Sequence, residues 1–73
     1  MTVDDIKLAA QVCEPSGREN CFRLKPPVAV VRRNGGDVVH VDLIDEDRDR
    51  VHLVGATSAV WHTPEVFVPY YAD

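Results

Sequence analysis

Val28-Ala29-Val30-Val31-Arg32-Arg33-Asn34-Gly35-Gly36-Asp37-Val38-Val39-His40-Val41-Asp42-Leu43 sets two β-branched runs around a pair of glycines. β-Branched side chains fit a pleated strand, and adjacent glycines accept the positive φ that a tight hairpin turn requires. The stretch therefore reads as a β-hairpin. Centring its turn on Gly35-Gly36 pairs Arg33 with Val38, Val31 with His40, Val30 with Val41 and Val28 with Leu43. That register puts Val28, Val30, Val39, Val41 and Leu43 on one face, the expected core, and Ala29, Val31, Val38, His40, Asp42 and Ile44 on the other.

Working outward, Asp45-Glu46-Asp47-Arg48-Asp49-Arg50 is a charged connection to a third strand, Val51-His52-Leu53-Val54-Gly55. Side chains alternate faces with period two, so an odd loop, of three or five residues, is needed to bring Val51 and Leu53 onto the core face beside Leu43. With three loop residues Asp42 lies opposite His52, and with five Ile44 does. His52 then shares the outer face with His40. Farther along, Ala56 to Trp61 is ambiguous between strand and helical turn, Thr63-Pro64-Glu65 carries N-cap and N1 signals, and Glu65 to Val68 reads as an edge strand stopped by Pro69. Trp61 and Phe67 are expected to close the core, and a Tyr70-Tyr71-Ala72-Asp73 tail to be exposed.

Before the hairpin, Cys21-Phe22-Arg23-Leu24-Lys25 alternates as a strand, and Pro26-Pro27 should end it by removing two ladder donors. Glu14 to Asn20 is rich in turn residues. Thr2 to Cys13 fits two templates. As a helix it has Thr2 as N-cap, Asp5 three residues on, and Val3, Ile6, Ala9, Ala10 and Cys13 on one stripe that leaves Leu8 out. As a strand it alternates through Ile6, Leu8, Ala10 and Val12. Capping and alanine content favour the helix. The expected architecture is α+β, one domain over residues 1–73, with an N-terminal helix packed on an antiparallel meander of three or four strands.

A chain of 73 residues buries only about 60% of its unfolded surface, so a second core has no room and association with a partner is a natural source of added stability. Twelve acidic against eight basic residues give a net charge of -4. Direct nucleic-acid binding is disfavoured, because phosphate affinity comes from a basic face. Neither a signal peptide nor an 18-residue apolar span is visible, which points to the cytoplasm and away from membranes. With only Cys13 and Cys21 present, two reduced thiols are the simplest expectation, although a turn at residues 15 to 20 could bring them face to face.

The chemistry-bearing residues are few. His40, His52 and His62 match no zinc spacing, yet His40 and His52 on neighbouring strands could join Asp42 in a small metal- or ligand-binding cluster. Asp42 beside His52 could also orient an imidazole as a general base in a minimal enzyme. No elbow or phosphate-cradling motif accompanies the candidate nucleophiles Ser58, Thr57 and Cys21, so no catalytic residue, cofactor or metal is assigned. The clearest outward feature is acidic: Asp42, Asp45, Glu46, Asp47 and Asp49 fall within eight positions, with Asp37 at the opposite end of the hairpin. Alternate carboxylates on a strand stand about 6.5 to 7 Å apart, which suits a rigid negative patch facing a larger protein with a basic surface, such as a nucleic-acid-binding protein. Exposed Tyr70 and Tyr71 would serve as interface anchors, for that partner or for a second copy of the chain.

In length, acidity and lack of catalytic motifs the chain resembles the small phage-encoded anti-CRISPR proteins, some of which occupy nucleic-acid grooves on Cas complexes. The resemblance lies in overall character, which antitoxins and other phage accessory proteins share, and carries no individual residue across. It implies an inhibitor without enzymatic activity, acting by carboxylate-rich contacts in the cytoplasm of a bacterial host.

Overall fold

The computed structural model describes residues 1–71; Ala72 and Asp73, the end of the expected tail, lie outside the described residues. The chain opens with helix α1, Val3–Ala9. Its start is set locally: the Thr2 hydroxyl accepts the Asp5 amide and the Asp5 carboxylate accepts the Thr2 amide, a reciprocal capping box. Val3 and Ile6 are buried, while Leu8, off the stripe, is 85% exposed. The helix stops four residues before the predicted end at Cys13. Ala10 is already extended, and β1 (Val12–Pro15) pairs antiparallel with β2 (Cys21–Arg32), Cys13 opposite Leu24. Two turns of helix are marginal alone, so cross-strand pairing wins over helix propagation here. This register leaves Cys13 and Cys21 out of step, and both are free thiols.

β2 does not end at Pro26-Pro27. It runs on through both prolines, and its pairing with β3 (Val38–Asp45) breaks between Arg23 and Val28. Five steps along β2 there match two along β3, from Leu43 to Val41. Prolines that cannot donate to the ladder thus bend one long strand instead of separating two.

The hairpin forms, but two residues out of the expected register: Val28 faces Val41, Ala29 faces His40, Val30 faces Val39 and Val31 faces Val38. The loop is the four residues Arg33 to Gly36. It is closed by the Arg32 amide on Asp37 O at 2.9 Å and the Gly36 amide on Arg32 O at 3.1 Å, with φ of 104° at Gly35 and 73° at Gly36. A slip of two keeps every side chain on its face, so Val28, Val30 and Val41 are buried as expected and Val39 packs against the core.

Leu43 departs from the expectation. β3 pairs with β4 (Arg50–Leu53) through Val41 with Leu53 and then Leu43 with His52, Ile44 with Val51 and Asp45 with Arg50. Asp42 is therefore an extra residue, a β-bulge. Beyond it the faces exchange: Ile44 enters the core fully buried, and Leu43 turns outward with His52. The same bulge overturns the odd-loop expectation. Four residues, Glu46 to Asp49, connect Asp45 to Arg50, and the bulge supplies the parity that lets Val51 and Leu53 stay buried.

After Gly55 the chain folds back over β4. His62 exchanges both backbone hydrogen bonds with Val51 (2.8 and 2.9 Å), Pro64–Val66 makes a 3-10 turn after Thr63, and β5 (Phe67–Pro69) pairs with β2 from Arg32 to Val30. One segment thus joins the open edge of β4 to the edge of β2 that β1 also uses, curling the sheet around its core. The edge strand is shorter than the predicted Glu65 to Val68 because Pro64 initiates the 3-10 turn first. The result is α+β, with five antiparallel strands in place of the expected three or four. Phe67 completes the core with Val3, Ile6, Leu24, Val30 and Ile44, whereas Trp61 lies outside it.

Candidate functional site

The face of β2, β3 and β4 away from the core carries two transverse rows. Arg23, Leu43 and His52 are register partners in one, and Cys21, Asp45 and Arg50 in the next. Both rows exist only because the bulge at Asp42 turns Leu43 and Asp45 outward together.

His52 anchors this face. It is only 7% exposed, and both ring nitrogens have oxygen partners: Nδ1 lies 2.7 Å from Asp42 Oδ1 and Nε2 lies 3.0 Å from Thr57 O. Only the imidazolium donates at both positions. Burial alone would push its pKa down, but hydrogen bonding to Asp42 and to the Thr57 carbonyl, with the charge of Asp42, outweighs this and holds it above the ordinary histidine value. Trp61 packs on the imidazole, ring centroids 5.4 Å apart at 57°, and its Nε1 donates to Ser58 O at 3.0 Å. The Asp42–His52 pair therefore clips the 54–61 loop onto the sheet and fixes the indole. With both nitrogens engaged, His52 has none left for a metal or a substrate proton. His40 stays exposed opposite Ala29 and does not join it, and no cluster of three metal-ligating side chains occurs among the described residues. Cys21 is buried, and burial first, then Asp45, pushes its thiol pKa up.

The carboxylates of the acidic run have unequal fates. Asp42 is committed to His52. Asp45, 6% exposed, accepts the Asp47 and Arg48 amides at 3.1 and 3.0 Å, folding the β3–β4 turn around itself. Glu46 pairs with Lys7 at 2.7 Å, and its amide donates to Asn20 O, tying the turn to α1 and to the β1–β2 loop. Asp37 pairs with Arg32 at 3.2 Å across the other turn. Asp47 and Asp49 are exposed and take part in no ion pair among the described residues, and Asp49 holds the turn at φ 56°. Tyr70 and Tyr71 are exposed, at 43% and 79%.

Arg18, Arg48, Arg50 and Trp61 line a concavity of about 460 Å³ beside this turn, with Asp45 at its wall. A second, of about 280 Å³, shares Arg18 and Trp61 and adds Arg23, Ser58 and His52. Sequence reading missed this grouping. The signal that could have found it is the clash of parity between a four-residue turn folded around an initial aspartate and a core that needs Val51 and Leu53: a bulge resolves it and puts Arg23 and Arg50 in neighbouring rows of the outer face. Among the described residues no helix is long and apolar enough to cross a membrane. Comparison of the chain with protein-family models, with curated proteins and with solved structures finds no match to any of them.

Proposed function

We propose that this chain is a small protein-binding inhibitor or adaptor that docks a larger partner through the β3–β4 turn. The observation that carries the reading is the contrast within the turn. Asp45 and Glu46 brace it from inside and from α1, while Asp47 and Asp49, alternating with Arg48 and Arg50, are displayed outward without ion-pair partners among the described residues. A braced turn loses little conformational entropy on docking, which is what a compact binder needs. A standard interface of about 800 Å² per partner would cover roughly one-sixth of the 4730 Å² surface, so one end of the sheet suffices.

The mixed sign of the turn fits a protein groove offering basic positions to Asp47 and Asp49 and acceptors to the arginines. An anti-CRISPR-type mode, with carboxylates occupying a groove made for phosphates, is the more specific form of the same proposal, and it draws on Asp47 and Asp49 rather than on the whole acidic run. The test is affinity capture from a bacterial lysate with the wild type, with Asp47→Arg/Asp49→Arg, and with Asp4→Lys/Glu65→Lys, which changes net charge equally elsewhere. The reading requires a defined stoichiometric partner that the turn variant loses and the control keeps. Equal capture by both variants would contradict it.

A further inference from the structure

Seven of the eight basic side chains fall into two groups, and the eighth, Arg33, donates to Glu65 O. Lys7, Lys25 and Arg32 are ion-paired with Glu46, Glu14 and Asp37. Arg18, Arg23, Arg48 and Arg50 are exposed, make no ion pair among the described residues, and reach from the β1–β2 loop, β2, the β3–β4 turn and the start of β4 two neighbouring concavities that share Arg18 and Trp61, with Arg50 Nη1 also donating to the Arg48 and Asp49 carbonyls. The one carboxylate lining these two, Asp45, is buried and has Oδ1 already occupied by two backbone amides. We propose that this basin is a binding site for a compact phosphate monoester; it shares Arg48 and Arg50 with the docking turn, and Arg18 and Arg23, which the docking reading does not use, distinguish the two.

Guanidinium groups present paired donors that match phosphate oxygens, and several around one concavity suit a dianion better than a single carboxylate. Ser58 lines the Arg23 side of the basin and offers a hydroxyl to the ester, while the Ser16 hydroxyl beside it is committed to Cys21 O at 3.1 Å. Trp61, held by Ser58 O and by its packing on His52, supplies a flat apolar wall for the organic part. The two concavities, about 460 and 280 Å³ and open to solvent, are of the order of a small-molecule site. Charge placement argues for a compact ligand over a polymer. Four of the eight basic residues sit here with one of the twelve acids, so the rest of the chain carries four basic against eleven acidic residues. An extended polyanion leaving the basin would run onto acidic surface.

Trp61 is the chain's single tryptophan, so its fluorescence reads the site directly. The wild-type chain is titrated with ribose 5-phosphate, inorganic phosphate and a 12-nucleotide single-stranded DNA at constant ionic strength. A saturable fluorescence change with ribose 5-phosphate is expected, together with affinity loss of roughly tenfold in Arg18→Gln and again in Arg23→Gln, as for loss of a charge-assisted hydrogen bond. Arg33→Gln, outside the basin, should bind as wild type. Circular dichroism melting confirms that each variant is folded, and either arginine variant serves if the other is not. Saturation by inorganic phosphate alone also supports the site, with the organic group adding nothing. No saturable response to either phosphate, equal affinity in all three variants, or tighter binding of the DNA than of both phosphates would overturn the proposal.

Discussion

Asp42→Asn removes one charge from the clip that holds the 54–61 loop while keeping the side chain's shape. In the wild type the His52 imidazolium donates to Asp42 at 2.7 Å and to Thr57 O at 3.0 Å from a nearly buried position. Taking one partner from a fully buried pair costs about 3–5 kcal/mol. The Asp42 side chain keeps 21% exposure, and asparagine can still accept one hydrogen bond, so about 2 kcal/mol is expected. In a domain of this size that is a fall in melting temperature on the order of 10 °C. The pH dependence follows from the raised pKa of His52. Its contribution is complete below the unfolded histidine value of about 6.5 and is lost as pH rises through the higher folded value. Urea denaturation followed by Trp61 fluorescence at pH 6 and pH 9 measures both effects. The wild type should be more stable at pH 6 than at pH 9, and Asp42→Asn should shrink that difference, leaving a remainder from the raised pKa of the Cys21 thiol, which ionises in the unfolded chain near pH 9. A variant as stable as wild type at pH 6, or a wild type more stable at pH 9, would refute the clip.

Three further outcomes test the fold. Because the bulge sends Ile44 inward and Leu43 outward, Ile44→Ala should cost about 3 kcal/mol and Leu43→Ala about 1 kcal/mol or less in chemical denaturation, and equal costs would place the bulge elsewhere. Gly35→Ala puts a side chain on a φ of 104° with its Cβ 3.4 Å from Asp37 Oδ1, and should lower stability by about 1–2 kcal/mol in a thermal melt. Iodoacetamide should alkylate half-buried Cys13 well before buried Cys21, and non-reducing mass spectrometry should show both thiols free.

What the sequence made legible follows the range of the interactions involved. The capping box at Thr2 and Asp5 is local and forms as read, but the helix end depends on β1 finding β2, which no local signal announces. The hairpin faces were readable because a two-residue slip leaves them intact, whereas the exchange of Leu43 for Ile44 was hidden in a one-residue bulge. In the site, Asp42 beside His52 was visible as a cross-strand neighbourhood. Its burial was not, because the 54–61 loop that covers it has no periodicity to read. The acidic run stood out as composition, yet Asp45 and Glu46 answer to backbone amides and to Lys7 on a distant helix, leaving Asp47 and Asp49 to face outward.

The proposed docking surface is tested most directly by site-specific photo-crosslinking in bacterial cells, with a benzophenone side chain placed at exposed Asp49 in one strain and at Leu8, which is 85% exposed, in another. A single discrete adduct to one larger protein from position 49, and none from position 8, is the expected result. The same adduct from both positions, or an adduct from position 8 alone, would contradict docking through the β3–β4 turn.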